Sequence, residues 1–157
     1  MRGCRVPKLA SVWALASCHN TNERLSRKGG TAVQTVALIA HDTKKSDLVA
    51  FVQRHHDLLV RYALIATGTT GALIAETTGL PVTRMLSGPL GGDAQIAARV
   101  AQGEVAAVLF ILDPLYAHPH EPDIQGLLRV CNVYNVPMAT NLATAELVLL
   151  GLPALSI

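Results

Sequence analysis

Short apolar runs rich in β-forming residues recur along this chain, each ending in a polar loop and each followed by a stretch with helical spacing, and that alternation constrains the fold most. Thr35-Val36-Ala37-Leu38-Ile39-Ala40 runs into His41-Asp42-Thr43-Lys44-Lys45. A run with no polar face has no side to give to water, so it reads as a strand covered on both faces. Ser46 can cap the next helix, in which Val49, Val52 and Leu59 keep helical spacing while Arg54, His55, His56 and Asp57 come toward its end. The two histidines are expected on a solvated face. The order then repeats: Ala63 to Ala66, the loop Thr67-Gly68-Thr69-Thr70-Gly71, and a helix from Ala72 to Thr78 stopped by Gly79.

A third unit joins Val82 to Leu86, the loop Ser87-Gly88-Pro89-Leu90-Gly91-Gly92-Asp93, and a helix through Ile96, Ala97 and Val100 to Gly103. Val105 to Leu112 is the most apolar run and ends at Asp113-Pro114. A long Pro- and His-containing loop then reaches Asp123, and a helix spans Ile124 to Tyr134. Val136 to Ala139, Thr140-Asn141 and a final helix through Leu149 complete a fifth unit. Such an order predicts one α/β domain of three layers, Rossmann-like, with a mostly parallel five-stranded sheet and right-handed crossovers.

Composition agrees and narrows the function classes. Half of the 157 residues are apolar but only 4% are aromatic, so the core must be built from Ala, Val, Leu and Ile. A net charge of +2, evenly spread, gives no nucleic-acid surface. No segment reaches the ~18 apolar residues of a membrane span. Cys4, Cys18 and Cys131 are odd in number, without CxxC spacing or a suitably placed His, which points to neither a disulfide framework nor structural zinc and fits a reducing compartment.

Residues 1–34 stand apart. Arg2, Arg5 and Lys8 precede an apolar stretch, Leu9 to Ser17, that with Cys18 loosely resembles an export signal. The stretch is short for that purpose, and Asn20 to Gly30 is polar and pattern-free, so the expectation is a disordered extension before a catalytic domain spanning 35–157.

Ligands of an open parallel sheet bind at the carboxyl ends of its strands, and the polar residues of this chain gather there. His41, Asp42 and Lys45 follow the first strand, Thr67 to Gly71 the second, Ser87 to Asp93 the third, and Asp113 to Asp123 the fourth. The Thr67–Gly71 loop opens a helix, whose free N–H groups and dipole favour an anion. Ser87 and Gly88 can add donors, and Lys45 a point charge. Each signal has an ordinary counterpart: a Gly/Thr turn can be a plain connector, Asp93 a helix cap, Asp113 a turn-former. His118, His120, Glu121 and Asp123 also permit a metal reading, although their spacing matches no common zinc pattern.

Taken in order, Ala40-His41-Asp42 with Lys45, Ala66 to Gly71, Leu86 to Asp93, Asp113-Pro114-Leu115, Pro119 to Asp123 and Ala139-Thr140-Asn141 resemble the methylglyoxal synthase family, over a match from about Val36 to Leu150. The resemblance implies a lyase that takes a proton from dihydroxyacetone phosphate and expels inorganic phosphate through an ene-diol phosphate, without metal or organic cofactor. It implies that Asp93 is the general base, that His120 polarises the carbonyl and shuttles protons, and that Asp123 and Asp113 support them, with His41 and Asp42 nearby. Lys45, Thr67, Gly68, Thr69, Thr70, Ser87 and Gly88 would form the phosphate cradle. A cytoplasmic homohexamer, inhibited by phosphate, is the implied assembly. Two other classes stay open: a non-catalytic phosphate-binding module of the same fold, which need not keep both Asp93 and His120, and a metal-dependent hydrolase using the His118 to Asp123 cluster.

Overall fold

The computed structural model describes residues 33–115 and 121–152, with the side chains of residues 121–123 outside that description. The apolar N-terminal stretch, His118 and His120 fall outside the described residues. Five strands form one sheet: β1 Thr35–Ala40, β2 Ala63–Ala66, β3 Val82–Arg84, β4 Val105–Ile111 and β5 Met138–Ala139. Every pairing is parallel, in the order β3-β2-β1-β4-β5.

Helices cover both faces because the strands are apolar on both. Val36, Leu38 and Ala40 of β1 pack with Leu48, Phe51 and Val52 of α1 (Lys45–Arg54), Leu59 of α2 (His56–Leu59), Ile74 of α3 (Gly68–Thr78) and Leu149 of α6 (Leu142–Gly151). Ala37 and Ile39 point the other way, onto Ile96 and Val100 of α4 (Gly92–Ala101) and Ile124 and Leu127 of α5 (Glu121–Val133). The chain winds from β1 outward to β3, then returns past β1 to β4. Crossovers of one hand therefore place α4 and α5 opposite α1 and α3. Winding reverses between β1 and β4, so their carboxyl ends open a crevice where no connecting segment lies.

The β1–β4 pairing is irregular only between Thr35 and Val36; from Val36 opposite Ala107 to Ala40 opposite Ile111 it is continuous. His41 N–H extends the ladder to Ile111 O at 3.1 Å. Within the second core cluster, burial pushes the Cys131 thiol up to about 11, so it stays protonated and is no nucleophile.

Several local expectations change. α3 begins at Gly68 rather than Ala72, so most of the Thr/Gly loop is the first helical turn. α1 begins at Lys45 after a 3-10 turn, Asp42–Lys44, which places Ser46 inside the helix and not at its cap. The helix expected after it is broken at His55 into α1 and α2. His55 is not solvated: its side chain is 11% exposed and its ring lies 4.4 Å from that of Phe51, whereas His56 does face water. α5 starts at Glu121, earlier than Ile124, and β3 and β5 are shorter than their apolar runs. Asp93 is the second residue of α4 and Gly91 holds the cap position. Asn141 caps α6, its Oδ1 accepting from Thr144 N–H at 2.9 Å.

Candidate active site

A cavity of about 280 Å3 opens at the carboxyl edge of the sheet, beside the β1–β4 reversal. His41, Asp42 and Lys45 enter it from β1, Thr67, Thr69 and Thr70 from β2, and Ser87, Gly88 and Asp93 from β3, while Phe110 and Ile124 supply apolar wall. A wider, open hollow of about 430 Å3 lies on the outer face of α5, among Gln125, Leu128, Arg129, Asn132 and Val133. Its lining comes from α5 alone and holds no acid, base or nucleophile, so the smaller cavity is the candidate site.

One half of the cavity is built by the start of α3. Thr67 is its extended N-cap residue, and the first helical turn leaves the Thr69 and Thr70 N–H groups without intrahelical acceptors. Gly68 does not line the cavity; its N–H donates to Leu86 O at 3.0 Å and joins this turn to the next loop. Thr67 and Thr70 are buried with their hydroxyls 3.3 Å apart. Lys45 Nζ donates to Thr69 Oγ1 at 2.6 Å and pairs with Asp42, so two groups hold the ammonium beside the first turn of α3.

The same cavity holds a carboxylate. Asp93 is 7% exposed on the first turn of α4. Its Oδ2 lies 3.3 Å from where a Cβ on Gly88 would stand, so the loop that lines the cavity also packs against the acid. A side chain at Gly88 would make the carboxylate give by a few tenths of an ångström.

At the winding reversal, the Asp113 backbone N–H donates to His41 Nδ1 at 2.9 Å. A backbone amide only donates, so Nδ1 must carry its lone pair and the ring proton must sit on Nε2. The imidazole edge meets the Phe110 ring at 5.3 Å between centroids. Asp113 itself is not among the cavity residues; its carboxylate accepts from Thr43 Oγ1 at 2.6 Å and from Leu115 N–H at 3.1 Å. It thus fixes the loop that orients His41. Asp123 lies in the first turn of α5, directly before the wall residue Ile124. Two residues that the sequence reading passed over act here: Thr43 on Asp113, and Gln95, whose Oε1 accepts from Leu86 N–H at 2.8 Å.

An MGS-like domain family model matches residues 47–140. A methylglyoxal synthase of Thermus thermophilus is 66% identical over 114 residues, 73% of this chain and 90% of that protein. This chain belongs to the methylglyoxal synthase family. A second methylglyoxal synthase, from Cupriavidus metallidurans, is 63% identical over 117 residues, covering 74% of this chain and 84% of that protein. The crystal structure of methylglyoxal synthase from Elizabethkingia anophelis superposes with a TM-score of 0.71 at 50% identity, over 74% of this chain and 77% of that one. Among the described residues, no helix is long and apolar enough to cross a membrane.

Proposed function

We propose that this chain converts dihydroxyacetone phosphate into methylglyoxal and inorganic phosphate, a carbon–oxygen lyase reaction. Membership of the methylglyoxal synthase family supports the reading. The observation that carries it is the buried Asp93, which lines one cavity together with Lys45, Thr69, Thr70, Ser87 and Gly88.

In this mechanism the substrate phosphate accepts donors from Thr69, Thr70, Ser87, Gly88 and Lys45, which leaves its hydroxymethyl carbon toward Asp93. The carboxylate takes a proton from that carbon, and the electron pair forms an enediolate with the former carbonyl. Charge on the enediolate oxygens needs donors in place beforehand. His41 offers Nε2–H, and His120 fills the polarising and proton-shuttling role that the family resemblance assigns to it, with Asp113 and Asp123 in support. The enediolate pair then expels phosphate as the bridging carbon–oxygen bond breaks, provided that bond stands out of the enediolate plane. Protonation of the resulting enol at its terminal carbon gives methylglyoxal. We further propose a cytoplasmic homo-oligomer, with residues 35–157 as the catalytic domain.

The test is direct. The purified chain, supplied with dihydroxyacetone phosphate, should release phosphate and methylglyoxal in equal amounts, the latter captured by a dicarbonyl trap. Binding of the substrate without release of either product would favour the non-catalytic module instead. Lys45→Ala should raise the inhibition constant for inorganic phosphate by about 10- to 100-fold, the cost of losing one charged donor. An unchanged constant would remove Lys45 from the cradle.

A further inference from the structure

We propose that Gln95 is a positioning residue whose side-chain oxygen grips the backbone at Leu86 and so sets the spacing between the phosphate cradle and Asp93. The inference rests on the reaction assigned above. Gln95 stands on α4, two residues beyond Asp93. The atom facing the Leu86 N–H at 2.8 Å is its Oε1, since a backbone amide needs an acceptor and the NH2 side of the amide offers none.

Leu86 is where the site's elements meet. Its carbonyl accepts from Gly68 N–H at 3.0 Å, which ties it to the first turn of α3. The same carbonyl nearly touches the head of α4, for a Cβ on Gly92 would lie 2.0 Å from its oxygen. The next carbonyl, Ser87 O, accepts from Leu90 and Gly92 N–H at 2.9 and 3.1 Å, and Gly88 then packs on the Asp93 carboxylate. The Leu86 residue is therefore clamped on its carbonyl side by the cradle helix. On its N–H side it is clamped by Gln95, from the same helical turn that carries Asp93.

Proton abstraction demands that the carboxylate meet one C–H bond while the phosphate is held several bonds away, and small misplacements cost rate far more than ground-state affinity. Releasing one clamp leaves both halves folded but no longer fixes their separation from both sides. Leu86 is 48% exposed, so water can take the place of Gln95 on its N–H. Loss of the bond should thus appear in catalysis and not in stability.

Two substitutions decide the matter. Gln95→Met keeps length and helix propensity but supplies only a weak acceptor, whereas Gln95→Glu keeps an oxygen in place. For Gln95→Met, kcat for phosphate release should fall about tenfold while KM and the inhibition constant of inorganic phosphate stay within about twofold. Its melting temperature should match wild type, and Gln95→Glu should restore most of kcat. Wild-type kcat in Gln95→Met overturns the proposal, as does an equal loss in both variants or a loss that tracks a drop in melting temperature. A wild-type chain that releases no phosphate overturns the functional reading itself, before either variant is compared.

Discussion

Asp93→Asn is expected to cut phosphate release from dihydroxyacetone phosphate by about 10²- to 10⁴-fold, the range a positioned general base contributes. Asn matches Asp in shape, so its packing on Gly88 should persist and the cradle should stay intact. A phosphate-bearing enediolate mimic should therefore bind within about tenfold of its wild-type affinity, because the lost interaction acts mainly in the transition state. Initial rates and the mimic's inhibition constant, measured side by side, check both halves. Near-normal turnover in this variant would exclude Asp93 as the base.

The second large effect is expected at Gly92. As a helical residue it has no need of a glycine's backbone freedom, so space alone decides what fits. A Cβ there would stand 2.0 Å from Leu86 O and 2.9 Å from Leu86 C, and both are backbone atoms that cannot rotate away. Gly92→Ala must push the Leu86 carbonyl off the Gly68 N–H or lift the first turn of α4. The expected cost is about 3 kcal/mol, at the upper end of overpacking, with a melting temperature lower by roughly 10 °C. Turnover should fall with it, since either movement parts the cradle from Asp93. Gly126→Ala on α5 is the matched control: nothing stands within 4 Å of its Cβ position, so it should hold or raise the melting temperature. Equal melting curves for the two variants would show that the Leu86–Gly92 approach relaxes freely.

The fold was legible because burial on both faces writes itself into a strand as an unbroken apolar run, and β1, β2 and β4 are such runs. The site edge was legible for a related reason: a parallel sheet sends every loop after a strand to one end. What failed was local. Thr67-Gly68-Thr69-Thr70-Gly71 is a poor helix by propensity, yet Gly68 to Gly71 are helical, with Gly68 anchored to Leu86 by a contact no local pattern announces. His55 looked like one of a solvated pair, but the helix breaks at it and turns its ring onto Phe51. The hold of Thr43 on Asp113 spans 70 residues of sequence and leaves no periodic trace. Gln95 is a single polar residue on an exposed helical position, and nothing short of coordinates shows that its amide faces a backbone N–H.

The irregular step between Thr35 and Val36 lies at the far end of the sheet from the cavity, where β1 begins. The extra residue in β4 is taken up there, and beyond it the two strands march in lockstep to His41 and Asp113. From Val36 to Ala40 every β1 residue therefore keeps its β4 partner, and the register that sets His41 beside Asp113 is decided before the strands reach the cavity.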